Sequence, residues 1–217
     1  RQQLINEITA SLRAVASNIP VLSSATRTDK IYEIFILSCV VRALNSLGAQ
    51  LEARDSNDNS TSNLIFRLGP GLIYNPASAP GFIYLNYQGR EYELQNSIRV
   101  LGYSNVLHEL DVCIISRDEA VNCRRNAIDP KQGSVKLLLE CKFYGATLPL
   151  HLGREYLGLG REFRLRIKTI VSNRTSEEIH SLVTKHKDTE NFSISPANPN
   201  NVDMFMQWLA NELRQVL

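Results

Sequence analysis

The stretch that decides the reading runs from His108 to Tyr144. Its ends are HELDVCIIS (108–116) and VKLLLECKFY (135–144), two short apolar runs with charged residues in their middles. Asp111 interrupts the first; Glu140 and Lys142, two residues apart, interrupt the second. Short runs rich in Val, Ile and Leu predict buried strands. A carboxylate inside a buried strand is costly unless a cation or a metal compensates it. That cost marks the place to look for chemistry.

Suppose the two runs pair as antiparallel neighbours that simply close the 117–134 segment. Ser116 then faces Val135, and Asp111 faces Glu140. Cβ atoms of such a pair lie about 5 Å apart. Period-two alternation puts Glu109 on the face of Asp111 and Lys142 on the face of Glu140. The other face receives Leu110, Val112, Ile114, Leu137, Leu139 and Phe143, which suits a core. Two carboxylates so close repel unless one is protonated or a cation sits between them. Oxygen-only ligands with room for water suit Mg2+ or Mn2+. A lysine one strand step away can position or deprotonate a metal-bound water, or stabilise developing charge.

Outward from this centre the periodicity predicts a helix over 2–17, a loop over 18–24, and a long helix from Thr28 to Leu47. Thr28 is the expected N-cap of the long helix and Gly48 its stop. Its middle is apolar nearly all round, as in a buried helix. Residues 52–63 read as a polar loop and 69–81 as an irregular connection. Runs 64–68, 82–87 and 91–96 read as strands, the last two joined at Gln88-Gly89 by a hairpin turn. Residues 117–134 read as a long polar connection. Then follow a helix over 150–165, a strand over 167–171 and a helix over 175–187 with a Thr175/Glu178 capping box. A short strand over 192–196 and an amphipathic helix over 202–217 close the chain. This order predicts an α/β mixed sheet with helices on both faces.

The 217 residues favour one domain over two. A net charge of +2 announces no global basic field, although a basic surface can exist locally. Four scattered cysteines, three in or beside apolar runs, suggest reduced, buried thiols and a cytoplasmic protein. None has zinc-finger spacing. The most apolar run, 31–44, is too short for a membrane span and is interrupted by Glu33 and Arg42. A start at Arg1 rather than Met suggests a piece of a larger protein.

Asp111 followed by Glu140-Cys141-Lys142 at the end of an apolar strand resembles the PD-(D/E)xK nuclease superfamily, the restriction-endonuclease-like fold. The resemblance covers about residues 28–172, with the helix 2–17 and the helices within 175–217 packed on that core. It implies an Mg2+- or Mn2+-dependent endonuclease hydrolysing phosphodiester bonds, with DNA expected ahead of RNA. Asp111 and Glu140 would hold the metal, with the Cys141 backbone carbonyl as a further ligand. Lys142 would orient the attacking water. Glu33, the only acid in the apolar centre of its helix, would complete the catalytic set. Arg154 and Arg161, seven apart on the helix after the E-x-K strand, and Arg164 near its end would meet nucleic acid. Leu110 stands where the family has Pro. A restriction or antiviral-defence role, and a homodimer or partner domains, extend the same analogy.

Each feature also has a plainer reading. The charges can form a structural ion pair on an exposed sheet face, and Glu33 can pair with Lys30 on the helix surface. Arg154 and Arg161 can face Glu155 and Glu162 on a solvated helix. The whole can be an inactive nuclease-fold module that binds nucleic acid or a protein partner, or a metal-free interaction domain.

Overall fold

The computed structural model describes residues 1–22, 26–74 and 80–217. Parts of two expected connections, 18–24 and 69–81, lie outside the described residues. The helices are α1 (Gln2–Leu12), α2 (Thr28–Ser46), α3 (Arg117–Asn126), α4 (Leu150–Glu162), α5 (Glu177–Lys185) and α6 (Pro199–Val216). The strands are β1 (Gln50–Arg54), β2 (Phe82–Tyr87), β3 (Arg90–Leu101), β4 (Leu107–Ser116), β5 (Val135–Lys142), β6 (Ile167–Ser172) and β7 (Thr189–Asn191). The seven strands lie side by side in chain order. The first five run antiparallel; β6 and β7 each run parallel to the strand before them. The expected α/β mixed sheet with helices on both faces is the architecture found.

Core composition explains the layering. Leu4, Ile8 and Leu12 of α1, the middle of α2, and Phe205, Leu209 and Leu213 of α6 pack on one sheet face. Ala120 and Cys123 of α3, with Phe163 just after α4, pack on the other, and α4 and α5 share a third cluster with Ile170. Every residue of α2 from Ile31 to Val41 is buried, so this helix is enclosed all round. Gln88 and Gly89 both take positive φ, 53° and 79°, the type I′ geometry that matches strand twist. Gly48 ends α2 at φ 75°. Among the described residues no helix is long and apolar enough to cross a membrane. All four cysteines are buried and free.

Local boundaries depart from expectation where tertiary partners decide. Residues 50–54 form the edge strand β1, although most of them read as loop; Ala53 is the buried anchor there. Residues 64–68 stay outside the sheet while burying Leu64 and Phe66. The last strand is 189–191 rather than 192–196. Arg27, not Thr28, is the N-cap of α2. Ser176, not Thr175, caps α5, its hydroxyl accepting from the Ile179 N–H.

The largest correction is α3, which occupies the expected polar connection. It buries Arg117, Ala120 and Cys123 at helical spacing, with Asp118 and Glu119 in its first turn and Arg124 and Arg125 in its last. What holds it is charge. Glu93 of β3 is fully buried and takes ion pairs from both Arg117 and Arg124. Arg117 also pairs with Asp58, and the two guanidiniums lie 5.4 and 4.6 Å from the Phe82 ring. Arg124 is therefore tied into the structural network that holds α3.

Removing one partner of a buried ion network leaves uncompensated charge. Glu93→Ala is expected to lose about 3–5 kcal/mol in urea unfolding. Glu177→Ala, at an exposed helix start, should lose about 1 kcal/mol or less. A loss for Glu93→Ala no larger than that of Glu177→Ala would show that α3 is held by something else.

Candidate functional site

The β4–β5 ladder pairs Val112 with Leu139, Cys113 with Leu138 and Ile114 with Leu137. This is the register expected from the sequence. At the other end a β-bulge intervenes, and Ile115 rather than Ser116 faces Val135. The ladder stops one step before Asp111 and Glu140. There the Asp111 carboxylate replaces the backbone: its Oδ2 accepts the Cys141 N–H at 2.8 Å. In an extended strand the N–H and C=O of one residue leave on the same side. The Cys141 carbonyl is therefore directed toward β4 as well.

A break in the pleat aims Asp111. Ser97 of β3 has φ 46° and drops out of the β3–β4 pairing between Asn96↔Val112 and Ile98↔Leu110. On either side of this point the strands change face. Leu94, Val112 and Ile114 pack beneath α2, whereas Ile98, Val100, Leu110, Cys113 and Ile115 pack on the opposite core. Leu110 therefore does not share a face with Val112, as strict alternation required. Asp111 and its neighbour Val112 both face α2.

The result is a cleft of about 660 Å³ between the start of α2 and the ends of β4 and β5. Lys30 and Glu33 of α2, Glu109 and Asp111 of β4, and Cys141 and Lys142 of β5 line it. A cleft of about 710 Å³ along α1 brings Ile5, Ile19 and Leu22 together with Arg13 and lacks acids, so it offers no comparable chemistry.

Glu33 is buried, as its apolar helix requires. Lys30 donates to both its oxygens, at 2.8 and 3.1 Å, and the Ser97 hydroxyl donates to Oε2 at 3.2 Å. Burial outweighs those bonds and pushes its carboxyl up to about 7. Burial, with Glu140 and Glu33 nearby, pushes Asp111 well above the usual carboxylate range. Burial alone would lower the Lys142 ammonium, but Glu140, whose Oε1 lies 2.7 Å away, more than offsets it and raises it. Lys142 is a held cation.

Glu33, Asp111, Cys141 and Lys142 thus come together. Glu140 is coupled to Asp111 and Lys142, but it does not line the cleft and lies close enough to Tyr156 of α4 to oppose that phenol's ionisation. Among the described residues no three His, Cys, Asp or Glu groups stand close enough together to hold a metal ion. Arg154, Arg161 and Arg164 are exposed and none lines the cleft. Arg164 lies over the Tyr103 ring at 4.4 Å. Glu162 pairs with His108 rather than with either arginine of α4. Arg166 pairs with Glu212, and Lys168 with Asp188 at 2.5 Å, which ties both down. Sequence reasoning missed Ser97, whose backbone break has no signal in a serine. It treated Lys30 only as a partner for Glu33.

No family model matches this chain, and no curated protein or solved structure matches it.

The folded Glu33 carboxyl binds its proton more tightly than an unfolded one, whose ordinary value is about 4.3. Between that value and about 7 the folded chain holds the extra proton, so stability falls as pH rises through this window. Without divalent cations, Glu33→Gln should match wild type near pH ~4 and exceed it by about 3 kcal/mol near pH ~8. Urea unfolding across the range checks this. A difference that does not change with pH would refute the burial account.

Proposed function

We propose that this chain is a metal-dependent nuclease of the PD-(D/E)xK, restriction-endonuclease-like kind, hydrolysing DNA phosphodiester bonds in preference to RNA. The observation that carries the reading is the seat of Asp111. Its buried carboxylate takes the Cys141 N–H where two strands part, within reach of Glu140 and Lys142. The order of elements supports it: a central helix, an antiparallel meander ending on the E-x-K strand, then a helix and a parallel strand.

The donor types, oxygen only, are those that Mg2+ or Mn2+ takes, although among the described residues the groups are not gathered closely enough to hold the ion. Asp111, Glu140 and the Cys141 carbonyl offer only oxygen, and Mg2+ takes one or two carboxylates while keeping several waters. These three would hold the ion. Once bound, it would lower the pKa of a water and neutralise charge gathering on the phosphate. Lys142, kept charged by Glu140, stabilises the developing negative charge and orients the nucleophile rather than deprotonating it. Glu33, with a carboxyl near neutrality, is suited to accept the proton of the attacking water. Arg154, Arg161 and Arg164 supply exposed positive charge for phosphate contacts. A restriction or antiviral-defence role extends this by fold analogy.

One observation favours a second reading, an inactive module of the same fold that binds nucleic acid or a protein partner. Glu140 is spent on Lys142 and stands outside the cleft lining.

Duplex DNA, single-stranded DNA and RNA incubated with Mg2+ or Mn2+ separate the two. Wild type is expected to cleave, and Asp111→Ala, Glu140→Ala and Lys142→Ala each to slow cleavage by about 100-fold or more. Cleavage that survives all three substitutions would refute the site. Binding without cleavage on every substrate would support the inactive module.

A further inference from the structure

The hairpin between β3 and β4 ends in exposed residues, Tyr103 to Leu107, at the end of the sheet where the cleft opens. Tyr103 is 62% exposed, Val106 55% and Leu107 39%. Exposed loop tips are where chains are loosest, but this one is fastened to α4. The Tyr103 N–H donates to the Glu162 carbonyl at 3.0 Å, and the Gly102 N–H to the Val106 carbonyl at 2.9 Å. The Ser104 N–H and hydroxyl both donate to Glu162 Oε2, at 2.9 and 2.8 Å. Gly102 is pressed so close to α4 that a Cβ there would meet the Glu162 carboxylate at 2.4 Å. The tip is held in one shape before anything binds it, which lowers the entropy cost of binding.

Arg164, just beyond α4, lies over the Tyr103 ring, its guanidinium carbon 4.4 Å from the centroid. One ring face is therefore covered by a cation, and at this exposure the other is open to solvent. Arg161, in the last turn of α4, is exposed as well, and among the described residues no acid pairs with either arginine. The tip from Gly102 to Leu107 contains no acid. The Glu162 carboxylate beneath it is taken by Ser104 and His108. The surface thus combines a flat aromatic face, apolar neighbours and unanswered positive charge. A nucleotide strand offers a flat face and a negative charge in every repeat, whereas an acidic peptide would answer the arginines and leave the ring bare. Leu107 stands two residues before Glu109, about 7 Å along β4, and Glu109 lines the cleft.

We propose that Tyr103 is a stacking platform for an unpaired nucleobase, and that Arg161 and Arg164 take the neighbouring phosphates. A strand lying in the cleft passes this tip, so the favoured substrate is single-stranded nucleic acid or a frayed end rather than a closed duplex, whose bases turn no face outward. Every base has a stacking face, so the tip selects strandedness rather than sequence. The inference rests on the nucleic-acid reading above and names the form of the substrate; it needs neither a bound metal nor cleavage.

Fluorescence anisotropy in EDTA, with a labelled thymidine DNA strand of about 12 nucleotides, tests this without chemistry. Tyr103→Ala should weaken binding about tenfold, and Tyr103→Phe, which keeps the ring, should bind as wild type does. A uridine RNA of the same length separates the two sugars; a loss of this size on either strand supports the platform. An abasic strand and a closed circular duplex should each bind wild type and Tyr103→Ala alike. Met204→Ala, which removes an exposed apolar side chain of α6, should change nothing. Equal affinity of wild type and Tyr103→Ala for both base-bearing strands overturns the proposal while leaving the nucleic-acid reading standing. So does an equal loss on the abasic strand. Self-association that Tyr103→Ala abolishes, with nucleic-acid affinity unchanged, assigns the tip to a second copy of this chain and overturns the proposal as well. No binding of any nucleic acid removes the nucleic-acid reading and this proposal together.

Discussion

The hydrogen bond from the Cys141 N–H to the Asp111 carboxylate is the contact on which the rest of the site depends. A side chain takes a bond that the neighbouring strand would otherwise supply. Three consequences follow. The strands β4 and β5 can separate without leaving the Cys141 amide unsatisfied, which a buried strand could not otherwise tolerate. The Cys141 carbonyl is turned to the same side. And Asp111 is fixed deep in the fold, at 8% exposure, where its charge cannot be relieved by water. The Ser97 pleat break and the enclosed α2 bring Glu33 to the same point.

Two buried charge clusters lie on opposite faces of the sheet, and their balances differ. On the α3 face, Glu93 and Asp58 meet Arg117, Arg124 and Arg54, and the positive groups also rest on aromatic rings. Every acid there is answered, so the cluster works as a clamp for a helix with little apolar surface. On the α2 face the acids outnumber the bases. That surplus of buried acids is the feature on which the proposed cation site rests, whereas a clamp answers each charge.

The central strands and the central helix were legible because their signals are redundant. Val, Ile and Leu dominate β4 and β5, and α2 is apolar throughout its middle, so no other assignment buries them. The register beside the site was legible too, although for a partly mistaken reason: closing the loop at Ser116 and Val135 ignored the bulge that corrects it. The helix α3 was not legible, because its buried stripe holds only Ala120 and Cys123 as apolar residues and its affinity for the sheet is ionic. The role of Glu93 was hidden for the same reason, since Glu91, Glu93 and Gln95 alternate as a solvent-facing edge would. Asp111, Glu33 and Lys142 were legible as charges in the wrong surroundings. That Asp111 and Glu140 would lie on different faces was not, because alternation assumes a pleat that Ser97 interrupts opposite Asp111.

Strand order equal to chain order has a kinetic side. From β2 onward each strand meets a partner that is its nearest neighbour in sequence, so the sheet can grow by successive local closures, which cost little chain entropy. The packing of α6 on α2 is different, because 152 residues (47–198) lie between Ser46 and Pro199. Among the main element contacts, that docking closes the longest loop and costs the most chain entropy. Until α6 is made, a chain emerging from the ribosome leaves one flank of the apolar middle of α2 without its helical cover. That flank is the surface that a holding chaperone would find, and the one through which unfinished chains would adhere to one another.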